Sequence, residues 1–334
     1  MKKFLLKILA AFTPFFIFTG VVIYMDFFKV LGFRDYYGDE QIVGLNREMI
    51  TTTTYNTFRD SEHFDSFIFG NSRSEAYKCD SWKKHLPEKS VPFHFDASGE
   101  GIWGISRKIS YIDENKDSLR NALIIIDGKS LVKTEIRYKH LFVSMPCVSK
   151  ESSVKYYLTF LKASLNLHFL TAYADYRIFG KYRNYMGYFI REKKFNDVVD
   201  KKNCNIIYGA DFEIEEDSVG YYENRIKQGI FYERPVKNHE IYPVTDKETE
   251  QLRLIKKIFL KHKTNYKIVI SPLYDQIPLE KEQLNLLYDI FGKENVYDFS
   301  GKNEFTESVF NYYENSHYRP HVAAEIMDII YEDD

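Results

Sequence analysis

Hydrophobic and polar positions fall into three regimes along the chain. The first is one uncharged run of 18 residues, Ile8 to Met25. With Phe4 to Leu6 added it reaches the roughly 20 apolar residues that a bilayer core requires, and Thr13, Pro14, Thr19 and Gly20 are tolerable inside a membrane helix. The second regime is a series of short apolar runs that read as buried strands: Asp65–Gly70, Val91–Asp96, Asn121–Asp127, Tyr266–Pro272 and Glu294–Phe299. Helical periodicity follows or separates them at Trp103–Leu119, Lys247–His262, Leu279–Phe291 and Pro320–Tyr331, with Pro278 and Pro320 placed where a first helical turn accepts proline. Strand–helix alternation with short connections predicts an α/β domain: a mostly parallel, five-stranded sheet covered on both faces. The third regime, about 133–244, interrupts that alternation and is too long for one crossover. It holds a helical pattern over Val154–Phe169, then a stretch rich in Tyr, Arg, Lys and Asn, and reads as an insertion or cap. The expected division is 1–28 (cytoplasmic tip and anchor), 29–61 (linker or leading segment), 62–132 with 245–334 (the α/β domain), and 133–244 (the insertion).

The flanks of the first run set its meaning. Lys2, Lys3 and Lys7 precede it or open it, whereas Asp26, Lys29, Arg34, Asp35, Asp39 and Glu40 follow with mixed sign. No small-x-small cleavage site lies between Val22 and Asp26, so the run reads as an uncleaved signal anchor. The positive-inside bias puts the N-terminus in the cytoplasm and the globular part outside a bacterial cytoplasmic membrane. Net charge is −2 over 334 residues, with no basic block, which excludes a nucleic-acid partner on electrostatic grounds. The 44% apolar and 28% charged residues exclude a disordered chain and a multi-span membrane protein. Cys79, Cys147 and Cys204 are widely spaced without a CxxC pair, so neither a disulfide scaffold nor a zinc cluster is expected. Aromatics reach 17%, with 27 Tyr and 27 Phe, which suits a large buried or sugar-contacting aromatic surface, and an A/T-rich genome would produce the same enrichment.

Ligands of parallel sheets bind at the carboxyl ends of the strands. The first strand ends Gly70-Asn71-Ser72-Arg73, placing a serine hydroxyl on the turn into the next element, where backbone amides supply oxyanion donors. A serine in that place also serves as an ordinary helix cap. Near the C-terminus, Glu314-Asn315-Ser316-His317 precedes Pro320. A carboxylate three residues before a histidine can hold the near ring nitrogen and leave the far one to take a proton from a serine. Two other patterns compete. Gly99-Glu100-Gly101-Ile102-Trp103-Gly104 satisfies G-x-G-x-x-G, but it follows the second strand and contains a bulky tryptophan. A metal set of Glu314, His317, His321 and Glu325 is broken by Pro320 between the histidines. No cofactor and no metal are expected.

With the strand-end serine and the Glu-x-x-His segment together, the chain resembles the SGNH/GDSL hydrolase superfamily over residues 62–131 and 264–331. It is most similar to the membrane-anchored, extracytoplasmic branch that includes polysaccharide O-acetylation and teichoic-acid D-alanine-transfer proteins. The resemblance implies a flavodoxin-like three-layer sandwich and assigns Ser72 as nucleophile, His317 as general base and Glu314 as the group orienting the imidazole. It offers Gly99 or Gly101, after strand two, as oxyanion donors with the Ser72 amide, and places Asn71, Arg73 and Asp127 at the oxyanion or substrate. Three positions depart from the pattern: Asn71 replaces the usual Asp before the serine, Glu314 replaces the Asp of D-x-x-H, and Asp127 stands where the third block has an Asn. The implied function is a serine-dependent acyl-ester hydrolase or O-acyltransferase acting on a cell-surface glycan or other acylated envelope polymer. An acyl-exporting membrane protein would be its partner, and the insertion would offer aromatic rings to sugars or act as a packed lid. The departures motivate an alternative, a catalytically silent scaffold or glycan-binding component of an envelope-assembly complex.

Overall fold

The computed structural model describes residues 1–32, 42–187, 189–191, 197–237 and 240–332, without the side chains of residues 2, 3, 5, 6 and 8–10. Arg34, Asp35, Asp39 and Glu40 lie outside the described residues. Helix α1 runs over Lys2–Met25. Among the described residues no helix is long and apolar enough to cross a membrane. The described residues of 29–61, expected as a linker or leading segment, include most of a second helix, α2, Arg47–Glu62.

Five strands follow: β1 (Ser66–Gly70), β2 (Pro92–His94), β3 (Asn121–Ile126), β4 (Asn265–Ile270) and β5 (Val296–Asp298). All pair in parallel, in the order 2-1-3-4-5. Each predicted strand is found, one or two residues shorter at most ends. Helices α3 (Ile102–Glu114), α4 (Asp246–His262), α5 (Lys281–Phe291) and α6 (Pro320–Ile330) accompany them. Pro278 stands outside α5, three residues before its first helical residue, whereas Pro320 does open α6.

Alternation along each strand divides the side chains between two cores. Phe67, Phe69, Ala122, Ile124, Ile126, Ile268 and Ile270 pack with residues of α2, α3, α4 and α5. Ile68, Leu123, Ile125 and Val269 face the other way, toward α6 and Tyr221, Tyr222 and Phe231 of the insertion. Helices on both faces of one parallel sheet make an α/β three-layer arrangement. The insertion's first helical pattern is two helices, Ser153–Ser164 and Leu167–Phe179, because the Asn166 side chain accepts from the Phe169 N–H and starts a new one.

Candidate active site

β1 delivers the turn that carries Ser72. A Cβ at Gly70 would stand 2.6 Å from the Ile125 carbonyl oxygen, so glycine lets β1 leave the sheet flush against β3. The chain then enters a short 3₁₀ helix, Ser72–Ala76, capped by Asn71, whose side-chain oxygen accepts from the Arg73 N–H at 2.9 Å. Ser72 thus stands at the head of the turn, half-buried. Ser74 Oγ bonds back to the Asn71 carbonyl at 2.7 Å and meets His94 Nε2 at 3.1 Å.

The histidine arrives on an antiparallel pair, Tyr312–Glu314 with His317–Tyr318, in which Glu314 lies opposite His317. The Glu-x-x-His spacing is therefore a cross-strand pair closed by Asn315 and Ser316. His317 Nε2 lies 2.7 Å from Ser72 Oγ, and His317 Nδ1 bonds Glu314 Oε1. The other Glu314 oxygen accepts from the Ser316 N–H at 2.8 Å, which fixes the carboxylate. Serine, imidazole and carboxylate form one relay, in which Ser72 and His317 lie 245 positions apart in sequence.

Asn71, Arg73 and Asp127 are bonded to one another beside the relay. Asp127 Oδ2 accepts from Asn71 Nδ2 and from Arg73 Nη1, both at 2.8 Å, while Oδ1 caps the Gly128–Leu131 turn through the Ser130 N–H at 3.0 Å. Burial pushes the Asp127 carboxyl up, but the Arg73 guanidinium, the Asn71 amide and the Ser130 N–H outweigh it and hold the group below the usual carboxylate range. Arg73 also donates from Nε to the Ser316 carbonyl at 2.9 Å, tying the Ser72 turn to the residue before His317. Gly99 has φ +56°, and its carbonyl accepts from Lys133 Nζ at 3.0 Å and Arg137 Nη2 at 2.7 Å. Gly101 precedes α3, and a Cβ there would lie 2.1 Å from the Lys133 Cβ. Both glycines thus have a local structural reason to be glycine.

A charged layer without a sequence signal lies beneath the turn. Arg47, on α2, donates from Nε to both oxygens of Asp96 at 3.0 Å and sits 3.8 Å from Glu75. Burial raises both carboxyls; Arg47 outweighs it at Asp96 and holds that group below the usual carboxylate range, whereas the Asp96 charge reinforces it at Glu75, which is pushed above that range. Tyr208 of the insertion bonds Glu75 Oε2 and reaches the Ser72 carbonyl at 3.3 Å. The insertion also braces the histidine: Tyr221 donates to the Tyr313 carbonyl at 2.9 Å, Tyr222 to the Tyr312 carbonyl at 3.1 Å, and Tyr313 to Asp211 at 2.7 Å. Periodicity and motif spacing carry no trace of these tyrosine contacts.

His321 bonds Asn311 at 3.0 Å, and among the described residues no group of three or more His, Cys, Asp or Glu side chains is placed to hold a metal ion. No protein-family model matches the chain, and no curated protein matches it.

Proposed function

We propose that the protein is a membrane-anchored, SGNH-like acyl-ester hydrolase or O-acyltransferase facing the outside of the cytoplasmic membrane, with a surface glycan or other acylated envelope polymer as its substrate. The observation that carries the reading is the continuous relay from Ser72 Oγ through His317 to Glu314, with Oγ and Nε2 2.7 Å apart. In the first half-reaction His317 Nε2 takes the Ser72 proton as Oγ attacks the ester carbonyl; Glu314 holds the imidazole and stabilises its positive charge. The tetrahedral intermediate expels the alcohol, which receives the proton from His317, and an acyl-Ser72 ester remains. Water or a sugar hydroxyl then attacks that ester by the reverse sequence. The uncharged run at residues 8–25 and the lysines before it support the anchor, and an acyl-exporting membrane protein would supply the donor.

One observation favours the silent-scaffold alternative. Asp127 occupies the third-block position as a carboxylate engaged by Asn71 and Arg73, and one missing oxyanion donor costs about 3 kcal/mol, a hundredfold or more in rate. Turnover of p-nitrophenyl acetate by wild type and Ser72→Ala decides between the two, together with a mass-spectrometric search for acylated Ser72. The expected result is turnover that requires Ser72 and an adduct on that residue. Equal rates with no adduct would leave the scaffold.

A further inference from the structure

A cavity of about 340 Å³ opens at the carboxyl ends of β3, β4 and β5, within the size range of small-ligand sites. Ser72 and His317 are not in its wall, but a bonded neighbour of each leads to it. Asp127, in the wall, is ion-paired with Arg73 at 2.8 Å; Ser271, also in the wall, meets the Tyr318 hydroxyl at 3.3 Å. The cavity is therefore linked to the relay through Arg73 and Tyr318, the chain neighbours of Ser72 and His317.

Gln283 closes part of this wall. It is 2% exposed, and neither its Nε2 nor its Oε1 has a partner among the described residues. A carboxamide holds a donor and an acceptor side by side in one plane, and burying both unpaired is costly. Its complement is a group that accepts and donates at neighbouring positions, as two adjacent hydroxyls of a sugar ring do. Tyr242 also lines the cavity. The charged groups in the wall are four carboxylates, of which Asp127 is already paired with Arg73, against one ammonium, Lys129. Carboxylates accept from sugar hydroxyls, and they repel a uronate or a phosphate-bearing polymer.

We propose that this cavity is a subsite for a neutral sugar ring, read through adjacent hydroxyls by Gln283 and closed to polyanionic glycans. Its place in the reaction rests on the reading of Ser72 as an acyl carrier; its binding rests on the cavity alone.

The test is equilibrium binding by saturation-transfer NMR on the full chain in detergent. The probes are cellotriose, maltotriose and an N-acetylglucosamine trisaccharide as neutral ligands, and a galacturonate trisaccharide of the same size. At least one neutral trisaccharide should bind, the galacturonate at least tenfold more weakly, and Gln283→Leu should weaken neutral binding at least tenfold. Should Gln283→Leu fail to fold, Gly128→Leu decides. A Cβ there would sit 3.4 Å from Gln283 Oε1, 3.6 Å from Leu279 and 3.9 Å from Tyr242, so a larger side chain fills the cavity, and neutral binding should be lost. No neutral binding at millimolar ligand, galacturonate binding as tightly, or unchanged affinity in the folded variants would each overturn the proposal. Binding is read without turnover, so the two readings fail separately: sugar binding without acylation of Ser72 would sink only the acyl chemistry, and acylation without sugar binding only the subsite.

Discussion

Asn71 and Asp127 face each other across the exits of β1 and β3, and each carries the group that the SGNH pattern proposed for this chain assigns to the other. The pattern has a carboxylate before the serine and an amide in the third block; here the amide precedes the serine and the carboxylate ends β3. The Asn71 Nδ2 to Asp127 Oδ2 bond at 2.8 Å makes the two departures one exchange, with the polarity of the pair reversed. Arg73 Nη1, at 2.8 Å from the same oxygen, reinforces the reversal. Asn71→Asp sets carboxylate against carboxylate, and Asp127→Asn sets an amide against two donors. Each single change should cost on the order of 2–3 kcal/mol in denaturant unfolding, and the double exchange should recover at least about 1 kcal/mol of their sum. Additive losses would show that the two residues are not a unit. The pH dependence has a definite sign. Asp127 titrates lower in the folded protein than its unfolded value of about 3.9, so its stabilisation is complete above that value and is lost as pH falls through the folded one. The stability gap between wild type and Asp127→Asn should be constant from about pH 5 to 8 and close below about pH 4.

Elements differ in how far the sequence reveals them, and the reason is what each one buries. β1 and β3 bury apolar side chains on both faces and read as apolar runs between turn residues, as does β4 apart from Lys267. Helix α2 is buried largely through polar bonds: Arg47 to Asp96 at 3.0 Å, Thr51 Oγ1 to the Asp96 carbonyl at 2.9 Å, and Glu48 to Lys108 at 2.9 Å. Its run of threonines has no apolar stripe to detect. The relay residues were legible because their local spacing is itself the geometry, a serine just past a strand and a carboxylate three before a histidine. The Arg73 clamp was legible only as a residue type, since its partner Ser316 lies 243 positions away. This clamp makes Arg73 a positioning residue. Its fork spans Asp127 and the Ser316 carbonyl at once, which a lysine cannot do. Arg73→Lys should therefore lower kcat for p-nitrophenyl acetate roughly tenfold or more with KM little changed, because a misplaced base costs rate before it costs binding. Loss confined to KM would make Arg73 a substrate contact.

At the scale of the whole molecule, the insertion expected to cap the sheet works as a clasp with two ends. Tyr221, Tyr222 and Phe231 are buried against the sheet and the histidine hairpin, so these rings are packing and not a sugar platform. The other end, with Phe160, Phe169 and Met186, closes around Phe28, just past α1. Phe28 is 1% exposed and has ring contacts of 5.2 Å with Phe169 and 6.0 Å with Phe160, and Phe27 adds Phe169 at 5.1 Å. Asp26 accepts from the Val30 and Leu31 N–H groups at 2.8 and 3.0 Å, which turns the chain out of the helix. A soluble fragment must therefore begin no later than Asp26. Phe28→Ala should cost about 3–5 kcal/mol by opening this cluster, read as a fall in the melting temperature of the full chain in detergent, and an unchanged melt would show that the clasp does not bear on α1. On α1 itself Phe12, Phe15, Phe16, Ile17, Phe18, Val21 and Ile23 are exposed. Exposed apolar side chains of this number on one helix mark a surface suited to a protein or membrane contact. If that contact is with a bilayer, the full chain should stay in the membrane pellet through alkaline carbonate extraction and leave it only with detergent. Release by carbonate would overturn the anchor and with it the extracytoplasmic placement, while leaving the relay of Ser72, His317 and Glu314 intact, because that relay takes no residue from α1.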